Sequence, residues 1–414
     1  MRKTLAAATA GVLVLALSAC GGSAPAGATG GASKGGGGTI KVGSLHPVSG
    51  SNAADGQQME NGAQLAIEAV NNAGGIASLG GSKLVLESAD TKGAADTGQS
   101  EAQRLISDGA VALIGTYQSA VTATVATVAE RNRVPLVIDI AVADELLKQG
   151  YKYTFRIQPN ATTMGTSGAQ YLADVSAAAG DPVRKVAYLH EQSSFGTSVK
   201  DAFVAKAKSL GMTVDPIISY DAKSVSDLTT QMTAVKAAGA DVLAVTGYYR
   251  DGVLTQQAVS SVQPGLKAVF GVAAGAFDLP QFATDSGAAG RGYFDANYHY
   301  DASNAKTKAL LDLYQQRFGQ PARTGAVLAY EAIRVVADGL QRSGNTDPKA
   351  LRDAIAQTNL PSLMASNGPI KFSDTGENEN AAPLLLQVGP NGPQQVFPAD
   401  KALAKPVFPA PPTR

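Results

Sequence analysis

From Thr39 onward the chain alternates short apolar runs with amphipathic stretches, breaks off, and then begins the same alternation again. No single residue limits the fold as strongly as this rhythm. Residues 39–45 read as a strand and 57–72 as a helix, with Met59, Ala63, Ala66, Ile67 and Val70 on one face and Gly74-Gly75 as its stop. Strands over 84–86, 111–114 and 135–138 follow, separated by helices over 97–108 and 119–130. Strands separated by helices pair in parallel, in a sheet covered on both faces. At Lys185 the pattern restarts, with strands over 185–189, 213–219, 241–246 and 266–270. Helices over 198–210, 227–238 and 252–261 lie between them, the middle one capped by Ser226 or Asp227. The expectation is α/β: two doubly wound lobes. Helices over 306–318, 325–343 and 348–357 must return to cover a sheet already begun. Residues 368–372 and 383–388 read as a closing hairpin, and the proline-rich 406–413 as an extended tail.

Composition removes several classes of function. Lys+Arg and Asp+Glu both number 34, so no electrostatic case exists for a nucleic-acid partner. The three histidines, His46, His190 and His299, stand far apart and outside any ligand spacing, which argues against a zinc site. No G-x-S-x-G elbow, G-x-x-x-x-G-K-[ST] loop or H-E-x-x-H pair occurs, and no cofactor is expected. Cys20 is the only cysteine. Before it stand Arg2, Lys3 and an apolar run from Leu5, the pattern of an export signal. Leu17-Ser18-Ala19-Cys20 resembles a bacterial lipobox, which implies cleavage before Cys20 and a lipid on its sulfur. The Gly-, Ala- and Ser-rich stretch that follows reads as a flexible linker.

In open parallel sheets, ligands bind outside the carboxyl ends of the strands. Two such sheets facing one another make a cleft, where small-molecule sites concentrate. Residues just past the predicted strands are therefore the ones to watch: 46–55, 115–119, 139–143, 191–196, 247–251 and 271–277.

Ile40-Lys41-Val42-Gly43, Gly50, Asn61-Gly62-Ala63, Ala69-Val70-Asn71 before Gly74-Gly75-Ile76, and Asp90 occur in an order that resembles the extracytoplasmic leucine/isoleucine/valine-binding proteins of ATP-driven importers. Ile114-Gly115, Val134-Pro135-Leu136, Phe195-Gly196 and Gly247-Tyr248-Tyr249 continue the match over nearly everything after the linker. The resemblance implies a type I periplasmic-binding fold, with two α/β lobes joined by a three-crossover hinge and closing on a solute. It also implies that Ser119 binds the ligand carboxylate; as a helix-opening residue it reads equally as a cap. Phe195 falls where the family carries a ligand-facing tyrosine, and Tyr248-Tyr249 on the second lobe's aromatic position, where only one of two neighbours can face the cleft. Ile140 and Val142 join the candidate lining. Two departures stand out: the family threonine and the family acid that hold the ligand ammonium align with Val142 and Ala273. Asp139 and Asp55 are the candidate substitutes, each reading equally as a turn or capping aspartate. Arg250 reads as a contact for an acidic ligand or a hinge salt bridge.

These readings give a signal peptide over 1–19, a lipidated Cys20 with a linker to 38, and lobes over 39–157 plus 299–366 and over 158–298 plus 367–400, with a tail over 401–414. The expected role is non-catalytic: capture of a small solute and delivery to an ABC permease, with membrane contact through the lipid anchor only. The missing ammonium partners point to an amide, a urea or an organic acid. A ligand sensor of the same fold, or a surface hydrolase, are the alternatives.

Overall fold

The computed structural model describes residues 37–412; the expected export signal, Cys20 and most of the expected linker lie outside them. The first lobe is built from β1 (Thr39–His46), α1 (Ala53–Asn72), β2 (Lys83–Asp90), α2 (Ala95–Ser107), β3 (Ala110–Gly115), α3 (Ser119–Asn132), β4 (Leu136–Ile138) and β5 (Thr154–Arg156). Its strands are all parallel, in the order β2-β1-β3-β4-β5. The second lobe opens with α4 (Ala161–Ala178) and continues through β6 (Lys185–Glu191), α5 (Ser194–Ser209), β7 (Thr213–Tyr220), α6 (Thr229–Ala238), β8 (Val242–Gly247), α7 (Tyr249–Val262), β9 (Ala268–Ala274), α8 (Pro280–Ser286) and β10 (Phe294–Asn297). Helices α9 (Ala305–Phe318), α10 (Thr324–Ser343) and α11 (Pro348–Ala356) precede the closing strands β11 (Leu384–Gly389) and β12 (Gly392–Phe397). The second sheet runs β12-β11-β10-β9-β8-β6-β7. Its parallel part thus repeats the first sheet's order, with a switch point between β6 and β8 matching that between β1 and β3.

Alternation along the strands fills both faces of each sheet. Ile40 and Val42 face one core of the first lobe and Leu45 the other, while Val242 and Ala244 face away from Leu243 and Val245 in the second. The three late helices do return: Leu310, Tyr314, Val336 and Leu351 pack in the same core as Ile40 and Val42. Helix α10 lies so close to α1 that a Cβ on Gly62 would collide with the Ala326 carbonyl. The chain passes between the sheets after β5, after β10 and before β11.

Several elements differ from expectation. Helix α4 carries Thr162, Thr163, Thr166, Gly165 and Gly168, weak helix formers that hide its period. Gly165 and Gly168 let it press against Val199, Phe203 and Val272. Strand β10 holds Asp295 and Asn297, which disguise it as a loop. The closing hairpin pairs β11 with β12, not with 368–372. Ile370 and Phe372, assigned by the sequence to the second lobe, pack in the first lobe's core. The tail is extended but held: the Val407 amide donates to Gln387 Oε1 at 2.9 Å and the Ala410 amide to the Lys267 carbonyl at 2.8 Å.

Candidate functional site

The carboxyl ends of β3, β4, β8, β9 and β10 converge between the lobes on a cavity of about 30 Å³. Ser119, Ile140, Val142, Phe195, Tyr248 and Ala273, six of the residues proposed from the sequence, line it together. Ser119 opens α3 and is buried. Its Oγ accepts from the Ala143 amide at 3.3 Å, so the hydroxyl proton remains available to an acceptor in the cavity. Helix-opening amides have no intrahelical partner and favour negative charge. Aromatic rings close the other side: Tyr248 lies 5.5 Å from Tyr117 and 5.4 Å from Phe195, centroid to centroid. Tyr117 belongs to the first lobe and the other two to the second, so the wall spans the cleft. Ala273 has φ 54, a left-handed conformation costly for alanine and of the kind found at functional sites.

The remaining proposed residues are placed elsewhere. Tyr248 caps α7, while Tyr249 is that helix's first residue and turns away, its hydroxyl bonded to Asp285 and its ring 5.1 Å from the Arg323 guanidinium carbon. Asp139 lies behind the cavity wall, where His46 Nε2 meets its Oδ2 at 2.7 Å. His46 Nδ1 contacts Glu60 Oε1 at 3.0 Å, and Glu60 also accepts from Ser44 and Ser88 at 2.6 Å each. Burial alone would lower the His46 pKa, but Asp139 and Glu60 outweigh it and raise it to about 10. Asp139 is thus committed to an internal imidazolium. Asp55 sits in the first turn of α1, not in a loop, where Arg323 pairs with its Oδ1 and the Tyr117 hydroxyl donates to its Oδ2 at 3.3 Å. Neither aspartate stands free in the cavity. The Ala141 carbonyl, beside the same wall, is taken by Gln158 Nε2 at 2.8 Å and Arg156 Nη1 at 3.3 Å.

Sequence reasoning left out Tyr298, Asn297 and Asp278; Gly275, which also lines the cavity, falls inside the stretch flagged after β9. Asn297 ends β10 and Tyr298 follows it, while Asp278 lies one residue past the stretch flagged after β9; recognition of β10 would have exposed the first two. A second chamber, of about 40 Å³, adjoins the first and holds Asp55, Asp278, Arg323 and Thr324. Burial raises the Asp278 carboxyl to about 7, with Asp55's charge acting in the same direction. Toward solvent the cleft opens into a polar mouth of about 610 Å³ that includes Asn52, Gln118, Glu191, Asp251 and Arg250. Among the described residues no group of His, Cys, Asp and Glu is arranged to hold a metal ion, and no helix is long and apolar enough to cross a membrane.

Comparison with known proteins returns a family model described as periplasmic binding protein, matched over residues 39–392. A Leu/Ile/Val-binding protein homolog 8 from Brucella melitensis is 32% identical over 378 residues, 88% of this chain and 92% of that protein. The leucine-binding protein LivK of Thermotoga maritima superposes with a TM-score of 0.75 at 22% identity, covering 86% of this chain and 98% of the other. A solute-binding protein of an ABC transporter from R. palustris, solved with benzoate, also gives 0.75, at 19% identity, covering 91% and 98%.

Proposed function

The chain belongs to the periplasmic binding protein family, as the substrate-binding protein of an ABC transporter, and from that premise we propose that it captures a small carboxylate with an apolar or aromatic body and no α-ammonium. The observation that carries this reading is the composition of one cavity: Ser119, the first residue of α3, at one side, and Ile140, Val142, Phe195, Tyr248 and Ala273 around the rest. An ammonium beside a carboxylate held at Ser119 would find no acid among the residues lining that cavity, and the two aspartates proposed as substitutes are engaged elsewhere, Asp139 with His46 and Asp55 with Arg323. Burying it unpaired costs on the order of several kcal/mol. A relative in fold holds benzoate, a ligand of the proposed kind.

Closure supplies the mechanism. The Tyr117–Tyr248 contact and the Arg323–Tyr249 contact each join residues of opposite lobes. They form only when the lobes meet, so a solute that fills the cavity biases the equilibrium toward the closed form. The closed form is then presented to a membrane permease. The lipobox at Cys20 supports retention at the membrane surface. Cys20→Ala should release the protein from the membrane fraction; membrane retention of the variant would refute the anchor.

Titration calorimetry tests the ligand class. Benzoate or 4-methylpentanoate should bind at least about a hundredfold more tightly than leucine, which differs from the latter by its ammonium. Ser119→Ala should weaken the acid by about ten- to a hundredfold, the worth of a hydrogen bond to a charged group. Micromolar binding of leucine would defeat this reading.

A further inference from the structure

The second chamber shares Tyr117, Ile140, Gly275, Asn297 and Tyr298 with the first. A solute anchored at Ser119 and long enough to pass the two tyrosines therefore enters it. Of the charged groups there, Asp55 and Arg323 satisfy one another, and Tyr117 completes Asp55. Asp278 is different. Its side chain is almost wholly buried, and besides its own backbone amide the carboxyl meets only one side-chain donor among the described residues, Thr324, whose Oγ1 lies a long 3.4 Å from Oδ2. A carboxyl has about four acceptor positions, and leaving them empty in a buried site is costly.

We infer that Asp278 reads the end of the solute opposite its carboxylate and selects a hydrogen-bond donor there. This rests on the carboxylate reading above and extends it to a substrate class: rigid, mainly apolar acids carrying a hydroxyl or amino group at the far end. The two ends of the cleft then divide the labour. Ser119, at the opening of α3, donates to one end of the solute, and Asp278 accepts from the other. An α-ammonium cannot serve Asp278, because it sits one carbon from the carboxylate and stays in the first chamber. A donor across an aromatic ring is carried past Tyr117 and Tyr298 into the second.

Benzoate and 4-hydroxybenzoate are the probes, differing by one donor at the far position. In calorimetric titrations of the wild type, 4-hydroxybenzoate should bind about ten- to a hundredfold more tightly. In Asp278→Ala that preference should fall to near unity while benzoate affinity changes by less than about threefold. The variant should melt no lower than the wild type, because a poorly satisfied buried carboxyl has been removed. Thr324→Val, which keeps the acid and removes its neighbour, should retain the preference and provides a second test if Asp278→Ala does not fold. Equal binding of the two probes by the wild type, a preference that survives Asp278→Ala, or its loss in Thr324→Val would overturn the inference and leave the carboxylate reading standing. Failure of the wild type to bind either acid would overturn both.

Discussion

Glu377→Ala is expected to cost about 3–5 kcal/mol of stability, the usual penalty for leaving one member of a buried ion pair without its partner. Arg156, at the end of β5, is wholly buried, and both of its nitrogens on that side engage the Glu377 carboxylate, Nε at 2.9 Å. Its remaining Nη1 holds the carbonyls of Ala141 and Ala143, at 3.3 and 2.9 Å, in the loop that forms a wall of the candidate cavity. The backbone supports the same join: the Arg156 amide donates to the Gly376 carbonyl at 2.9 Å and the Asn378 amide to the Arg156 carbonyl at 3.1 Å. Glu377 therefore ties two of the passages between the lobes and, through Arg156, the ligand wall. Removing it leaves a guanidinium in the interior without its counter-charge. Urea unfolding measures the loss, and weaker benzoate binding should accompany it. Stability within about 1 kcal/mol of wild type would show that the pair is dispensable.

The second large effect concerns His46. His46→Gln removes a cation held between Asp139 and Glu60 and should cost about 3–5 kcal/mol, because two carboxylates are then left buried together. The same cluster sets a pH dependence. The folded His46 pKa, about 10, lies above its value of 6.5 in the unfolded chain. Its contribution is therefore complete below pH 6.5 and is lost as pH rises through about 10. Glu60, held below its usual range by His46, Ser44 and Ser88 against the effect of burial, contributes above pH 4.5 and loses its contribution as pH falls. Melting temperature should therefore decline steadily from pH 6.5 to 10, as scanning calorimetry would reveal. A flat profile over that interval would mean that the imidazole is neutral in the folded protein.

The two-lobe α/β architecture was readable because the central strands of both sheets are apolar runs bounded by turn residues, and most crossings between neighbouring parallel strands carry an α-helix. Ser119, Phe195 and Tyr248 were singled out by the family resemblance; each lies just past a strand, where doubly wound sheets place their ligands, and the structure brings the three to one cavity. Direction was harder. Asp139 also follows a strand, but its carboxyl points behind the sheet to His46, 93 residues earlier, and no local pattern announces that partner. Asp55 reads as a turn residue until Arg323, 268 residues later, closes on it. Of the tyrosine pair, the start of α7 decides which ring faces inward, and the sequence reading began that helix three residues too late, at 252 instead of Tyr249. Tyr298 was hidden because β10 carries polar residues that pair with each other, Asn297 Nδ2 lying 3.5 Å from Asp295 Oδ2.

Strand β1 runs from Thr39 at one end of its sheet to His46 at the end where the cleft begins. Seven steps of extended chain separate the two, about 23 Å. A change to the sequence ahead of residue 37 thus reaches the first lobe at the end of β1 that lies away from the cleft. Shortening, lengthening or replacing what precedes residue 37 leaves the residues of the cleft as they are. Evolution, or an engineer, is free to change the one without renegotiating the other.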